Sequence, residues 1–248
     1  MSVRRLAPPD IQPGSFAFSK DNADWAKAQL TKYPAGRQQS AIIPLLWKAQ
    51  EQSAGWLPEA AIRHVADFLG MAHIRALEVA TFYTMFNLEP VGKYHVQLCG
   101  TTPCRLRGAD ALEKICKRRI GEQGHVTKDG KFSWVEVECL GACVNAPMVQ
   151  INYDYYEDLD SASFKDILDR LADGKKVKPG PQIDRQNSAP VGGATTLNGR
   201  AKSAKPDPRN AGASLKDDKA KKPGAGANER EAAVPQGPVA DNSKPKPS

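Results

Sequence analysis

Apolar side chains recur at helical spacing from about residue 21 to 87, and beyond residue 92 the period shortens to two. Asp21 or Asn22 is expected to cap a first helix carrying Trp25, Ala28 and Leu30, which Pro34 and Gly36 end. A second places Ile42, Ile43, Leu45, Leu46 and Ala49 on one broad stripe, with Pro44 bending it near its start. Pro58 suits the first turn of a third, whose buried side is Ala61, Ile62, Val65 and Leu69 and whose stop is Gly70. A fourth uses Ile74, Leu77, Val79 and Ala80 and leads into Phe82, Tyr83, Met85 and Phe86. Four such stripes in succession predict a small bundle.

Past residues 89–92, Tyr94, Val96 and Leu98 alternate with polar residues and predict a strand that exits at Cys99. Residues 100–107 read as a loop, and Ala111, Leu112, Ile115 and Cys116 as the apolar side of a helix closed by Gly121. Asp129-Gly130 signals a turn, after which Val135 and Val137 alternate with Glu136 and Glu138 in a second strand ending at Cys139. Val149, Ile151 and Tyr155 predict two short strands around Asp154. Phe164, Ile167, Leu168 and Leu171 predict a last helix, finished by Gly174. The order β, α, β, then β, β, α is that of a thioredoxin-like layer. The expected fold class is therefore α/β: a thioredoxin-like domain at 90–179, preceded by a helical bundle at 1–89.

Composition adds a third region. Residues 180–248 hold 8 Gly and 9 Pro, no aromatic side chain and few large aliphatics. So little apolar surface does not offset chain entropy, and a disordered C-terminal tail is expected. This tail carries 12 Lys and Arg against 7 Asp and Glu, which accounts for +5 of the chain's net +7. The folded part lacks the basic excess that nucleic acid requires. The longest apolar run, residues 41–47, contains Pro44 and is far short of a bilayer span. No apolar segment follows Arg4 and Arg5 to make a secretory signal. Five cysteines without an export signal point to a reducing compartment, where paired cysteines are metal or redox sites before they are disulfides.

The chemistry lies in Cys99-Gly-Thr-Thr-Pro-Cys104 and Cys139-Leu-Gly-Ala-Cys143. Each pair can present two sulfurs from one loop, and the 34 residues between Cys104 and Cys139 suit a crossover between parallel strands. Four thiolates meeting there can hold zinc or an iron–sulfur cluster. Structural zinc sites favour gaps of two residues, whereas gaps of four and three fit a wider two-iron cluster. Spacing alone prefers the cluster and leaves zinc, in a metal-stabilised interaction module, as the alternative. The thioredoxin redox motif Cys-x-x-Cys does not occur. Reduction makes an already dianionic two-iron cluster more negative. Gly100, Gly141 and Ala142 admit backbone N–H groups close to sulfur, and Thr101 and Thr102 offer hydroxyl donors. Arg105 and Arg107 follow the second ligand position and are expected to be solvated.

These motifs, with residues 36–44 (Gly-Arg-Gln-Gln-Ser-Ala-Ile-Ile-Pro), residues 80–86 (Ala-Thr-Phe-Tyr-Thr-Met-Phe) and residues 138–147 around the second pair, resemble the E-type subunit family of NADH-quinone oxidoreductase, respiratory complex I. The likeness covers about residues 16–181. It implies an N-terminal helical part and a thioredoxin-like domain holding one [2Fe-2S] cluster on Cys99, Cys104, Cys139 and Cys143. It further implies a one-electron carrier beside a flavoprotein subunit that binds FMN and NADH, among the other peripheral-arm subunits, off the main path to quinone. No catalytic residue is then expected in this chain, because the cofactor supplies the chemistry. The host complex would lie on the cytoplasmic side of the inner membrane, with this subunit peripheral to it. The equivalent subunit of an NAD-linked hydrogenase or formate dehydrogenase is the alternative within the same class.

Other residues take ordinary roles at this stage. Cys116 recurs with Leu112 and Ile115 and is read as a buried small hydrophobe, not a fifth ligand. His64, His73, His95 and His125 show no ligand spacing. Phe82, Tyr83 and Phe86 are read either as a partner surface or as packing between the two folded parts. Ala146-Pro147 is expected to be cis, and Asp158 or Asp160 to cap the final helix.

Overall fold

The structure is a computed structural model and describes residues 4–193. Four helices come first: α1 (Lys20–Leu30), α2 (Ile42–Gln52), α3 (Glu59–Phe68) and α4 (His73–Phe82). They close on Leu45, Leu46, Leu57, Ile62, Val65 and Phe86, all fully buried. Ser19, not Asp21 or Asn22, caps α1, its hydroxyl accepting from the Asn22 N–H at 3.3 Å. Pro44 lies in the first turn of α2, where a missing N–H costs no helical bond, behind a 3-10 turn at Gln38–Ala41. Gly70 stops α3 as expected, at φ 60°.

The second part contains β1 (Tyr94–Cys99), α5 (Thr102–Leu106), α6 (Ala109–Arg119), β2 (Phe132–Val137), β3 (Val149–Ile151), β4 (Asp154–Glu157), α7 (Ser161–Ala172) and β5 (Gly180–Pro181). Its strands form one mixed sheet in the order β2-β1-β3-β4-β5, with β1 parallel to β2 and antiparallel to β3. Alternation along β1 sends Val96 and Leu98 into the core with α6 and α7, where they meet Trp134, Met148, Phe164 and Ile167. The helical and sheet cores are separate clusters. They face each other across a cavity of about 700 Å³ lined by Gln50, Glu51, His95, Gln97 and Cys139 among others, beside which Trp47 packs on Tyr153 with ring centroids 5.6 Å apart.

The Ala146–Pro147 peptide is cis. Asp160 caps α7 in a reciprocal capping box with Ser163. Three expectations are corrected. Residues 102–106 are a short helix, since Pro103 can start a helical turn that needs no apolar period. The strand β2 ends at Val137, two residues before Cys139, because pairing with β1 ends there. The expected tail does not start at residue 180: Gly180–Pro181 pairs with β4, and Gln182 to Asn187 stay bonded to the domain. The rest of that tail, residues 194–248, lies outside the described residues.

Candidate metal centre

Parallel pairing decides where the cysteines go. Cys99 ends β1 opposite Val137, the end of β2, so both loops leave the sheet at the same edge. The Gly100 N–H still donates to the Val137 carbonyl at 3.1 Å, which keeps the two exits together. Cys104 lies on α5, Cys139 just past β2, and Cys143 opens a 3-10 turn at Cys143–Asn145. Cys99 and Cys104 are buried, whereas Cys139 and Cys143 are exposed.

Within each loop the two thiols are near enough to raise one another's titration, Cys99 acting on Cys104 and Cys139 on Cys143. The loops also touch: the Leu140 N–H reaches Cys99, and Cys143 lies close enough to Cys99 to feel its charge. The site is thus two thiol pairs side by side. Among the described residues no three His, Cys, Asp or Glu side chains are drawn tightly enough together for a single metal ion. Soft sulfur donors in two adjacent pairs fit a cluster with two metal centres.

Hydrogen-bond donors surround the sulfurs as an anionic group requires. The Thr101 hydroxyl is 3.3 Å from Cys99 Sγ, and the Gly141 N–H donates to Cys139 Sγ at 3.3 Å. Gly141 has φ 79°, the left-handed conformation that glycine adopts without strain. Burial acts to raise the Cys99 thiol, but the Thr101 hydroxyl and the Thr101 and Leu140 N–H groups outweigh it, and its pKa falls below the ordinary value. Burial, with the neighbouring Cys99, pushes Cys104 up to about 12. Cys116 lies apart in the sheet core on α6, its thiol pushed up to about 12 by burial. Of the histidines, only His95 is buried, and its Nδ1 is paired with the Ser133 hydroxyl at 2.8 Å.

Arg105 is not simply solvated. It bonds Asp110, Glu113 at 2.9 Å and Glu136 at 2.8 Å, and its Nε donates to the Gly100 carbonyl at 3.2 Å. It therefore ties the first cysteine loop to α6 and β2, with its charge neutralised by carboxylates. A Cβ at Gly100 would come within 2.0 Å of Glu136 Oε1, so the glycine leaves room for that carboxylate. Phe86 is buried in the helical core, whereas Phe82 and Tyr83 are exposed, as are Leu106 and Val144 beside the cysteines.

Two supports escape the sequence patterns. Tyr155 Oη donates to the Leu140 carbonyl at 2.9 Å, holding the second loop from β4. Asn145, buried behind Cys143, donates to Glu157 Oε2 at 2.7 Å. Asn145 belongs to the motif after Cys143, which is the one signal that marks it.

Comparison with known proteins agrees with this geometry. Residues 26–172 match the family model described as thioredoxin-like [2Fe-2S] ferredoxin. The chain is 61% identical over 201 residues, 79% of its length and 73% of the relative's, to an E-type NADH-quinone oxidoreductase subunit of Rhizobium meliloti (strain 1021). It is 57% identical over 158 residues, 63% of its length and 95% of the relative's, to the E-type NADH-quinone oxidoreductase subunit of Rickettsia bellii (strain RML369-C). Among solved structures, an NAD+-reducing [NiFe]-hydrogenase in the H2-reduced state is similar at a TM-score of 0.47 and 20% identity, over 53% of this chain and 22% of that chain. On its domain and its relatives, the chain belongs to the thioredoxin-like [2Fe-2S] ferredoxin family, among the E-type subunits of NADH-quinone oxidoreductase.

Proposed function

We propose that Cys99, Cys104, Cys139 and Cys143 ligate the family's [2Fe-2S] cluster, one pair to each iron. On this reading the chain carries single electrons beside an FMN- and NADH-binding partner subunit in the NADH-oxidising part of the complex. The observation that carries it is the meeting of two thiol pairs at the shared exit of β1 and β2. When bound, the cluster supplies one-electron redox chemistry. The chain's own residues fix its place and compensate its charge, through the Thr101 hydroxyl and the Leu140 and Gly141 N–H groups.

On the same reading the complex sits at the cytoplasmic face of the inner membrane, and this chain is held there through its partners. No described helix is long and apolar enough to cross a membrane. The test is electron paramagnetic resonance of the anaerobically reduced chain, with serine at each of the four cysteines and Cys116→Ala as the control. The two-iron signal should be lost or altered at the four positions and unchanged in the control. A signal lost in the control and kept in Cys143→Ser, or a colourless protein holding one zinc, overturns the assignment.

A further inference from the structure

Residues 180–187 lie beyond residue 172, where the family match ends, yet they carry the most deeply buried ion pair among the described residues. Arg185 Nε lies 3.5 Å from Asp158 Oδ2, with the two side chains 8% and 6% exposed. Every other ion pair among the described residues has at least one partner a quarter or more exposed. A guanidinium is taken out of water at high cost and needs its N–H groups matched. Here the Nε and the facing Asp158 oxygen are not aligned for a hydrogen bond. The satisfied donor is Nη1, which bonds Asn145 Oδ1 at 2.7 Å and the Val144 carbonyl at 3.1 Å.

Both acceptors belong to the turn that opens with Cys143. Asn145 is gripped from three sides: its amide donates to Glu157 and, at 3.0 Å, to the Asn187 carbonyl, and its own carbonyl accepts from the Asp158 N–H at 2.7 Å. Gly180–Pro181 anchors the segment to β4, and the Gln182 N–H donates to the Glu157 carbonyl at 2.9 Å. We infer that residues 180–187 form a strap that clamps the second cysteine loop, with Arg185 positioning Cys143 through Asn145 and Val144. The charge pair with Asp158 keeps the guanidinium in place, and the two N–H bonds of Nη1 hold the loop.

This inference rests on the reading of Cys143 as a ligand. Its test is the rate at which the full-length, cluster-loaded chain loses iron to a chelator, read by the fall in visible absorbance, together with the line shape of the reduced signal. Arg185→Lys keeps a positive charge but has one nitrogen, which cannot occupy both the Nε position facing Asp158 and the Nη1 position bonding Val144 and Asn145. The pair Arg185→Met with Asp158→Asn removes the buried charges together, so no lone carboxylate is left behind. Both should melt within about 3 °C of the parent. Both should lose iron about tenfold faster, in line with the loss of other outer contacts to metal ligands, and show shifted g values, which a purely structural strap would not produce. Parent rates and g values in either variant overturn the strap. Should the double variant not fold, Arg185→Lys decides by the same two readings. An unaltered two-iron signal in Cys143→Ser would instead remove the ligand assignment beneath it.

Discussion

Burial divides the four cysteines unevenly, and this sets where added negative charge is best accommodated. Cys99 and Cys104 are buried, while Cys139 and Cys143 face solvent. In the cluster proposed for these cysteines, charge gained on reduction is better solvated beside the exposed pair. Serine at Cys139 should therefore lower the midpoint potential more than serine at Cys99, measured by redox titration of the two variants; an equal or reversed order refutes the asymmetry. A second residue acts through protons. Burial pushes the pKa of His95 down to about 4 in the folded chain, and its Nδ1 pairs with Ser133, whose oxygen also accepts from the Gly92 N–H at 2.9 Å. With an ordinary value near 6.5, the unfolded chain binds the extra proton first. Between pH 6.5 and about 4, stability thus falls as pH falls, by about 3 kcal/mol in total. Denaturant titrations should show the loss in the parent and a flatter profile in His95→Gln, where comparison of the two cancels the cluster's own acid sensitivity.

At the level of elements, the entry to β1 depends on a close approach. A Cβ on Gly92 would come within 2.4 Å of the Phe132 backbone carbon and 2.7 Å of the Ser133 nitrogen, atoms that cannot swing aside. Gly92→Ala should cost about 2 to 3 kcal/mol by forcing β2 away, seen as a lower denaturant midpoint with unchanged slope. Gly92 is legible in the sequence only as a change of period; its contact with β2 is tertiary. The same division runs through the molecule. The helices α2, α3, α6 and α7 announce themselves by apolar period and by Gly70, Gly121 and Gly174, and the cysteine spacing announces two loops at one sheet edge. The helix α5 leaves no such trace, because five residues around Pro103 have no buried stripe. Residues 180–187 are rich in Gly, Pro and polar side chains and read as solvated chain. What holds them is pairing with β4 and the reach of Arg185 to Asp158 and Asn145, partnerships that no local pattern encodes.

At the scale of the whole described molecule, two hydrophobic cores are joined by a thin seam. One lies among α1 to α4, the other beneath the sheet with α6 and α7. The Trp47–Tyr153 contact crosses the seam beside a cavity of about 700 Å³, which leaves the two cores as separate clusters. All four proposed ligands lie on the sheet part. A group that binds only the folded state stabilises the unit that holds it, and weak coupling passes little of that gain onward. Tryptophans report on the two parts separately: Trp134 is buried in the sheet core, while Trp25, Trp47 and Trp56 belong to the helical part. Stripping iron from the intact chain should therefore lower the transition seen through Trp134 by more than about 5 °C. In Trp134→Phe, the transition seen through the other three should move by less than about 2 °C. Calorimetry of the same samples should resolve two heat-absorption peaks, one of them fixed. A single peak that shifts as a whole on iron removal would show instead that the seam couples the cores into one cooperative unit.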